Sequence, residues 1–285
     1  MEEVIYRKFV EMLAEDSPFW DITTEVLIPE NVVAKAVVVA KEEGVVACVT
    51  DIAEILRRLG LQVNVRLQDG DRVSKGDVVL ELTGNARKVL FVERTALNLL
   101  MHCSGVATAV RRMVEKVRQV NPKVRIAATR KTIPFLRYFE KRAVLAGGGD
   151  THRFSLSDAV LIKENHLRIV GDVGIAVKTA REKTSFIHKV EVEVSSIEDL
   201  VKAVEAGADI VMLDNMSPDE VRKAVLELKR RGLRDKVLLE VSGGITLDNV
   251  EEYAKIDVDI ISCGWITMSS KALDMSLEII EVLSK

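Results

Sequence analysis

Apolar positions change period several times along the first third of the chain. Over residues 2–15, Val4, Ile5, Phe9, Met12 and Leu13 fall on one stripe at helical spacing, which predicts an amphipathic helix. An irregular segment, DITTEVLIP, follows and closes at Pro29. AKAVVVA and GVVACV are Val-rich and predict strands. DIAEILRRLG predicts a short helix that Asp51 caps at its start and Gly60 at its end. QVNVRLQDGDRVSKGDVVLELTG alternates and turns at Asp69-Gly70 and Lys75-Gly76, so it predicts paired strands. From Asn85 to Gln119 the pattern is helical, with a break expected near Ser104-Gly105.

After Pro122 the pattern becomes regular. VRIAA, AVLIK, KVEVEV, DIVMLD, VLLEVS and DIISC are short apolar runs, and helices fit over 197–206, 217–231 and 247–254. A polar residue closes each run, and Glu193, Asp214, Ser242 and Gly264 recur at about one βα unit's spacing. Such a repeat needs a parallel sheet, and function then gathers at the C-terminal strand ends. A doubly wound open sheet is the alternative, but no GxGxxG stands at a strand-to-helix turn. The expected class is thus α/β: a mixed, sandwich-like α/β domain over 1–105 and an incomplete α/β barrel of parallel strands over 106–270. The tail, about 271–285, is read as a helix packing back on the N-terminal domain.

Composition narrows the function. The 285 residues are 48% hydrophobic, enough for two cores, and the net charge of −3 offers no general basic surface for nucleic acid. Lys, Arg and Glu far outnumber Asn and Gln, a balance common in proteins from hot environments. Cys48, Cys103 and Cys263 are odd in number and lack metal-ligand spacing, so they are expected to be buried reduced thiols. No signal peptide or membrane-length apolar run is visible, which implies a soluble cytoplasmic protein with no membrane partner.

The strand ends carry the candidate chemistry. They offer Thr129, Arg130 and Lys131, then Lys163 with Asn165 and His166, then Glu193, then Asp214 with Asn215. Arg130, Lys131, Lys163, His152 and Arg153 can converge on one pocket, with Arg94 a further candidate. Arginine binds planar carboxylates and phosphates in bidentate fashion, so such a pocket wants a ligand of several negative charges. Glu193 and Asp214 remain for sugar hydroxyls or a metal ion. Ser242-Gly243-Gly244, with a helix expected from Thr246, can cradle a phosphate that Gly264 completes. Gly147-Gly148-Gly149 is read as a helix cap plus a flexible loop carrying His152 and Arg153. A solvated rim of ion pairs is the plain alternative for any one of these residues. No Ser-His-Asp or Cys-His pair suggests a covalent nucleophile.

Beyond these patterns, the chain resembles the quinolinate phosphoribosyltransferases (nicotinate-nucleotide pyrophosphorylases, carboxylating). The resemblance runs from about Asp21 to Leu277 through ERTALNLLMHCSGVAT, ATRKTIP, AVLAGGGDTHR, LIKENH, EVEVSS, MLDN, EVSGGI, ISCG and ALDMSL. It implies transfer of phosphoribosyl from phosphoribosyl pyrophosphate to quinolinate with loss of CO2, a step of NAD biosynthesis. It also implies a homodimer or higher homo-oligomer in which Arg94 reaches the partner's site. By position, Arg130, Lys131, His152 and Arg153 would hold the quinolinate carboxylates, and Lys131 and Lys163 would face pyrophosphate. Glu193 and Asp214 would take the ribose hydroxyls and Mg2+. Ser242, Gly243, Gly244 and Gly264 would take the 5′-phosphate. Lys131, Lys163, Glu193 and Asp214 are the implied catalytic set, and Thr129 lines the substrate site. Three positions depart from the family pattern: Phe135 where Gly is usual, Thr151 where Asn or Ser is usual, and Met268 where His or Gln is frequent. Two rivals are a same-fold relative found with molybdate transport genes and a barrel that only binds a phosphorylated ligand.

Overall fold

The computed structural model describes residues 2–284; Met1 and Lys285 lie outside the described residues. The elements run α1 (Glu2–Asp16), α2 (Ile22–Leu27), β1 (Val33–Ala40), β2 (Gly44–Val45), α3 (Val49–Arg58), β3 (Gln62–Val65), β4 (Arg72–Val73), β5 (Val78–Asn85) and α4 (Ala86–Val120). Then come β6 (Arg125–Ala127), α5 (Arg137–Gly147), β7 (Val160–Ile162), α6 (Glu164–Val170), α7 (Val173–Lys183), β8 (Val190–Val194), α8 (Ile197–Glu205) and β9 (Ile210–Asp214). The rest are α9 (Pro218–Arg230), β10 (Leu238–Ser242), α10 (Val250–Ala254), β11 (Ile260–Ser262), α11 (Trp265–Met268) and β12 (Met275–Ser284). They form two compact units. The first takes the chain up to Arg111, Ile133–Gly148 and the residues from Ser270 onward; the second takes Arg112–Thr132 and Gly149–Ser269.

The first unit holds a four-stranded sheet ordered β12-β1-β5-β3, antiparallel at every pairing. Its outer strand β12 is the tail expected to be a helix. LDMSLEIIEVL satisfies helical spacing in its apolar residues, but Ile279, Ile280 and Val282 also suit a strand. The open edge of β1 decides: Met275 pairs with Ala40, and the ladder runs on to Ser284 opposite Val33. The tail joins the first unit by main-chain pairing with β1, as a strand and not as a packed helix.

Two helix boundaries also differ from the sequence pattern. Helix α3 begins two residues before Asp51, after Cys48 in a left-handed conformation (φ 59°). Asp69 caps it instead, accepting the Val49 N–H at 2.7 Å, while Asp51 accepts from Tyr138 Oη at 3.2 Å and Arg142 Nε at 3.3 Å. Helix α4 runs unbroken through Gly105. A Cβ there would lie 2.2 Å from Lys271 O, so glycine serves close packing of two backbone segments and no kink.

In the second unit all six strands are parallel, in the order β6-β11-β10-β9-β8-β7. The first strand lies beside the last, while no pairing joins β6 to β7 in that sheet. That is the strand order of a barrel left open at one seam. Val192, Val194, Val211, Leu213, Leu239, Val241 and Ile261 are buried. The intervening helices start cleanly. Ser217 and Glu220 form a capping box with Pro218 at the first turn of α9, and Ser196 and Asp172 cap α8 and α7.

Candidate active site

Register gathers the polar strand residues on one face of the second unit's sheet. Glu193 pairs with Met212 and Glu240 pairs with Met212 from the other side; two residues on, Ser242 pairs with Asp214. Paired residues of a parallel sheet point to the same side, and so do residues i and i+2. Glu191, Glu193, Asp214, Glu240, Ser242 and Ser262 therefore share a face, while the alternate positions are the buried valines and leucines. Thr129, Arg130 and Lys131 follow β6 on the C-terminal side, Lys163 follows β7, and Gly264 follows β11. The second unit thus contains every predicted site residue except Arg94, which is exposed on α4 in the first unit.

Each group is held by its neighbours. Lys163 Nζ donates to Glu193 Oε1 at 2.5 Å, and the Lys163 N–H donates to His166 Nδ1 at 2.9 Å. Asp214 Oδ2 accepts from Asn215 Nδ2 at 2.8 Å. The Lys131 N–H donates to Thr129 Oγ1 at 3.0 Å, and the Lys131 carbonyl accepts from Thr267 Oγ1 at 2.6 Å. A Cβ at Gly264 would sit 2.8 Å from Lys131 Cδ, so this glycine leaves room for the lysine stem. Arg130 Nε is buried with no hydrogen-bond partner. Burial, and then the nearby Arg130 charge, hold the Arg153 guanidinium below its ordinary pKa. Two crowded guanidiniums, one with an orphaned donor, form a site prepared for an anion.

The glycines resolve differently from their pattern. Gly243 is left-handed (φ 90°), and a Cβ there would lie 2.2 Å from Asn215 Oδ1. Gly244 (φ 62°) faces open space, and its carbonyl accepts from Asn249 Nδ2 at 2.9 Å. The helix expected from Thr246 begins only at Val250 and is five residues long. Any phosphate here would therefore rest on loop N–H groups and the Ser242 hydroxyl rather than on a helix end. In Gly147-Gly148-Gly149 the flexible loop gives way to specific packing. Gly147 abuts Val110 and Ala107, and Gly148 is the left-handed cap of α5.

Sequence reasoning missed a cluster beneath these groups. His152 Nε2 lies 3.3 Å from Glu240 Oε2 and 3.4 Å from Glu191 Oε2, and Glu240 Oε1 accepts from Ser262 Oγ at 2.5 Å. Both carboxylates are buried. The signal was present: Glu191 is in phase with Glu193, and Glu240 with Ser242, so alternation carried one step inward finds them. Burial opposes charge on His152, while the Glu191 and Glu240 carboxylates push its pKa up; burial raises that of Glu191. The Arg153 N–H donates to His152 Nδ1 at 2.7 Å, so the ring proton sits on Nε2, on the carboxylate side.

Comparison with known proteins then gives the family. Residues 21–104 match the model of the quinolinate phosphoribosyl transferase N-terminal domain, and residues 106–278 match that of the C-terminal domain. The chain belongs to the quinolinate phosphoribosyl transferase family. A probable nicotinate-nucleotide pyrophosphorylase [carboxylating] from Methanothermobacter thermautotrophicus is 53% identical over 94% of this chain and 96% of its own length. The nicotinate-nucleotide pyrophosphorylase [carboxylating] of Rattus norvegicus is 39% identical over 94% of this chain and 88% of its own. The crystal structure of NadC from Streptococcus pyogenes superposes with a TM-score of 0.92 at 36% identity, covering 100% of this chain and 99% of that one.

The glycine that the resemblance leads one to expect at Phe135 would suit the backbone there. Phe135 is left-handed (φ 65°) and largely exposed, with Lys8 Nζ 5.4 Å from its ring centroid and donating to its carbonyl at 3.3 Å. Of the other two positions at which the sequence departs from the pattern of the resemblance, Met268 is exposed and Thr151 half-buried.

Proposed function

We propose that this protein transfers the phosphoribosyl group of phosphoribosyl pyrophosphate to quinolinate and releases CO2, giving nicotinate mononucleotide and pyrophosphate for NAD biosynthesis. The observation that carries the reading is the crowding of Arg130 and Arg153, with Arg130 Nε buried and unpartnered, among the strand ends of the second unit. A dicarboxylate supplies the anionic oxygens such a pair lacks. Lys131 completes that subsite, and His152 lies at its base. The dimeric arrangement belongs to the same proposal: Arg94, exposed on α4, would reach the site of a second copy. No helix among the described residues is long and apolar enough to cross a membrane. With Cys48, Cys103 and Cys263 free and buried, this supports a cytoplasmic place of work.

The chemistry follows from charge. As the bond from the anomeric carbon to pyrophosphate breaks, the sugar gains positive charge and the leaving group negative charge. Lys163 and Lys131 stabilise the leaving pyrophosphate. Glu193 and Asp214 place negative charge beside the sugar and accept from its hydroxyls. Their hard oxygens also fit Mg2+, which is commonly held by one or two carboxylates plus substrate phosphates. When bound it would neutralise pyrophosphate charge. Ser242 and the loop at Gly243, Gly244 and Gly264 receive the 5′-phosphate, and Thr129 orients Lys131. The pyridine nitrogen of quinolinate forms the new bond to carbon. The resulting ring cation accepts the electron pair left as the adjacent carboxylate departs as CO2, and a proton then replaces it. The side chains position and stabilise throughout.

Purified protein mixed with quinolinate, phosphoribosyl pyrophosphate and Mg2+ should yield nicotinate mononucleotide, whereas nicotinate in place of quinolinate should yield none. Folded protein that makes no product from either would overturn the assignment and favour a phosphate-binding role.

A further inference from the structure

Both ring nitrogens of His152 are engaged within the second unit. Nδ1 accepts the Arg153 N–H at 2.7 Å, and Nε2 faces Glu240 Oε2 and Glu191 Oε2 at 3.3 and 3.4 Å. A ring used on both sides has no nitrogen left for a substrate carboxylate. The backbone agrees with this engagement. His152 is left-handed (φ 53°), and its own N–H donates to Asp150 Oδ1 at 2.8 Å. Asp150 is in turn fixed to β6: its N–H donates to Ile126 O at 2.8 Å, and its carbonyl accepts the Ala128 N–H at 2.9 Å.

The carboxylates beneath the ring are costly to keep there. Side-chain exposure is 0% for Glu240 and 2% for Glu191, and Glu240 Oε2 and Glu191 Oε1 have no hydrogen-bond partner. Removing a carboxylate from water is a large penalty, and an apolar residue at either position would avoid it. His152 and the Ser262 hydroxyl lie against them, and the Arg153 charge acts on Glu191 from further off. Their arrangement makes sense as a clamp on the imidazole.

We propose that Glu191 and Glu240 are positioning residues for quinolinate: they clamp His152, and His152 fixes the Arg153 main chain so that its guanidinium meets a substrate carboxylate. The proposal rests on the quinolinate reading above and moves His152 from direct carboxylate ligand to support. Among the described residues the Arg153 guanidinium makes one weak hydrogen bond, Nη1 to Ala159 O at 3.4 Å, beside the attraction of Glu191, Glu193 and Asp158, so its aim depends in part on the backbone behind it.

Two variants of the full chain test this. Glu240→Gln keeps the shape and removes the charge; Ser262→Ala removes only the hydroxyl that donates to Glu240, and carries the test if the first does not fold. Quinolinate and phosphoribosyl pyrophosphate affinities are measured separately by calorimetry, which needs no turnover. Ring nitrogens are followed by 15N NMR on labelled histidine. The chain has four histidines, so a His152→Asn spectrum assigns the signals. Wild-type protein should show Nδ1 unprotonated and Nε2 protonated at His152. Glu240→Gln should disturb that tautomer and weaken quinolinate binding about tenfold or more, with phosphoribosyl pyrophosphate changed less than about twofold. Ser262→Ala should move both readouts the same way by a smaller amount.

Unchanged ring signals and quinolinate affinity in folded variants would overturn the clamp. So would a divalent ion that copurifies in equal amount with wild type and is lost from Glu240→Gln. His152, Glu191 and Glu240 offer ligand atoms within 4.8 Å of one another, and that result would make them a metal site. Wild-type protein with the expected tautomer but no quinolinate affinity would instead sink the substrate assignment, and the proposal with it.

Discussion

Arg130→Ala is expected to lower kcat/KM for quinolinate by about a thousandfold, with thermal unfolding almost unmoved. On the proposed reading a buried, charge-assisted pair with a substrate carboxylate is lost, and truncating one partner of such a pair costs about 2–5 kcal/mol. In the free protein Arg130 Nε has no acceptor, so alanine removes an unsatisfied buried donor and breaks no hydrogen bond at that atom. The neighbouring Arg153 would also be relieved of a like charge, and its pKa should return toward the ordinary arginine value. Function and stability therefore separate at this residue. Steady-state assays and a melting curve on the same preparation check the claim. Activity within about tenfold of wild type would show that the dicarboxylate binds elsewhere.

Gly105→Ala should reverse a familiar sign. Inside an exposed helix, replacing glycine by alanine gains about 0.5–1 kcal/mol. Here the new methyl would lie 2.2 Å from Lys271 O and 2.9 Å from Ala272 Cα, both backbone atoms that no rotamer change can move away. Either α4 bends or the strand entry at residues 271–274 shifts. That segment is anchored: the Leu273 N–H donates to Met101 O at 2.9 Å, and the Lys41 N–H donates to Asp274 O at 2.8 Å. Overpacking of this kind costs about 1–3 kcal/mol or more, enough to outweigh the helix gain. Denaturant titration should show a lower midpoint with an unchanged slope. A midpoint equal to or above wild type would mean that the two backbones do not approach so closely.

Much of the parallel sheet was legible in the sequence because its strands are buried on the side that faces the helices. Runs such as DIVMLD and VLLEVS read as strands, and the residues that break their apolar character, Asp214 and Ser242, are paired neighbours in the sheet. Local spacing carried that far. It did not carry to the tail, where one string of apolar residues satisfies both periods and only the open edge of β1 selects the strand. Nor did it carry to Gly105 and Gly147, whose lack of a side chain answers to atoms distant in sequence. At Asp51 a capping residue was available, but Asp69, eighteen positions later, makes the bond. The candidate site divides in the same way. Groups at strand ends announce themselves by position, whereas Glu191, Glu240 and Ser262 matter through what lies above them, namely His152.

The pairing of β12 with β1 also orders events during synthesis. Those partner residues are separated by more than two hundred positions, and the whole of the second unit lies between them in the chain. A ribosome therefore delivers every strand of the parallel sheet before it delivers the strand that covers β1. The nascent first unit must wait with one sheet edge uncovered, the condition in which β-strands recruit wrong partners. The cell's holding chaperones would find their longest opportunity there, and the arrival of β12 closes it.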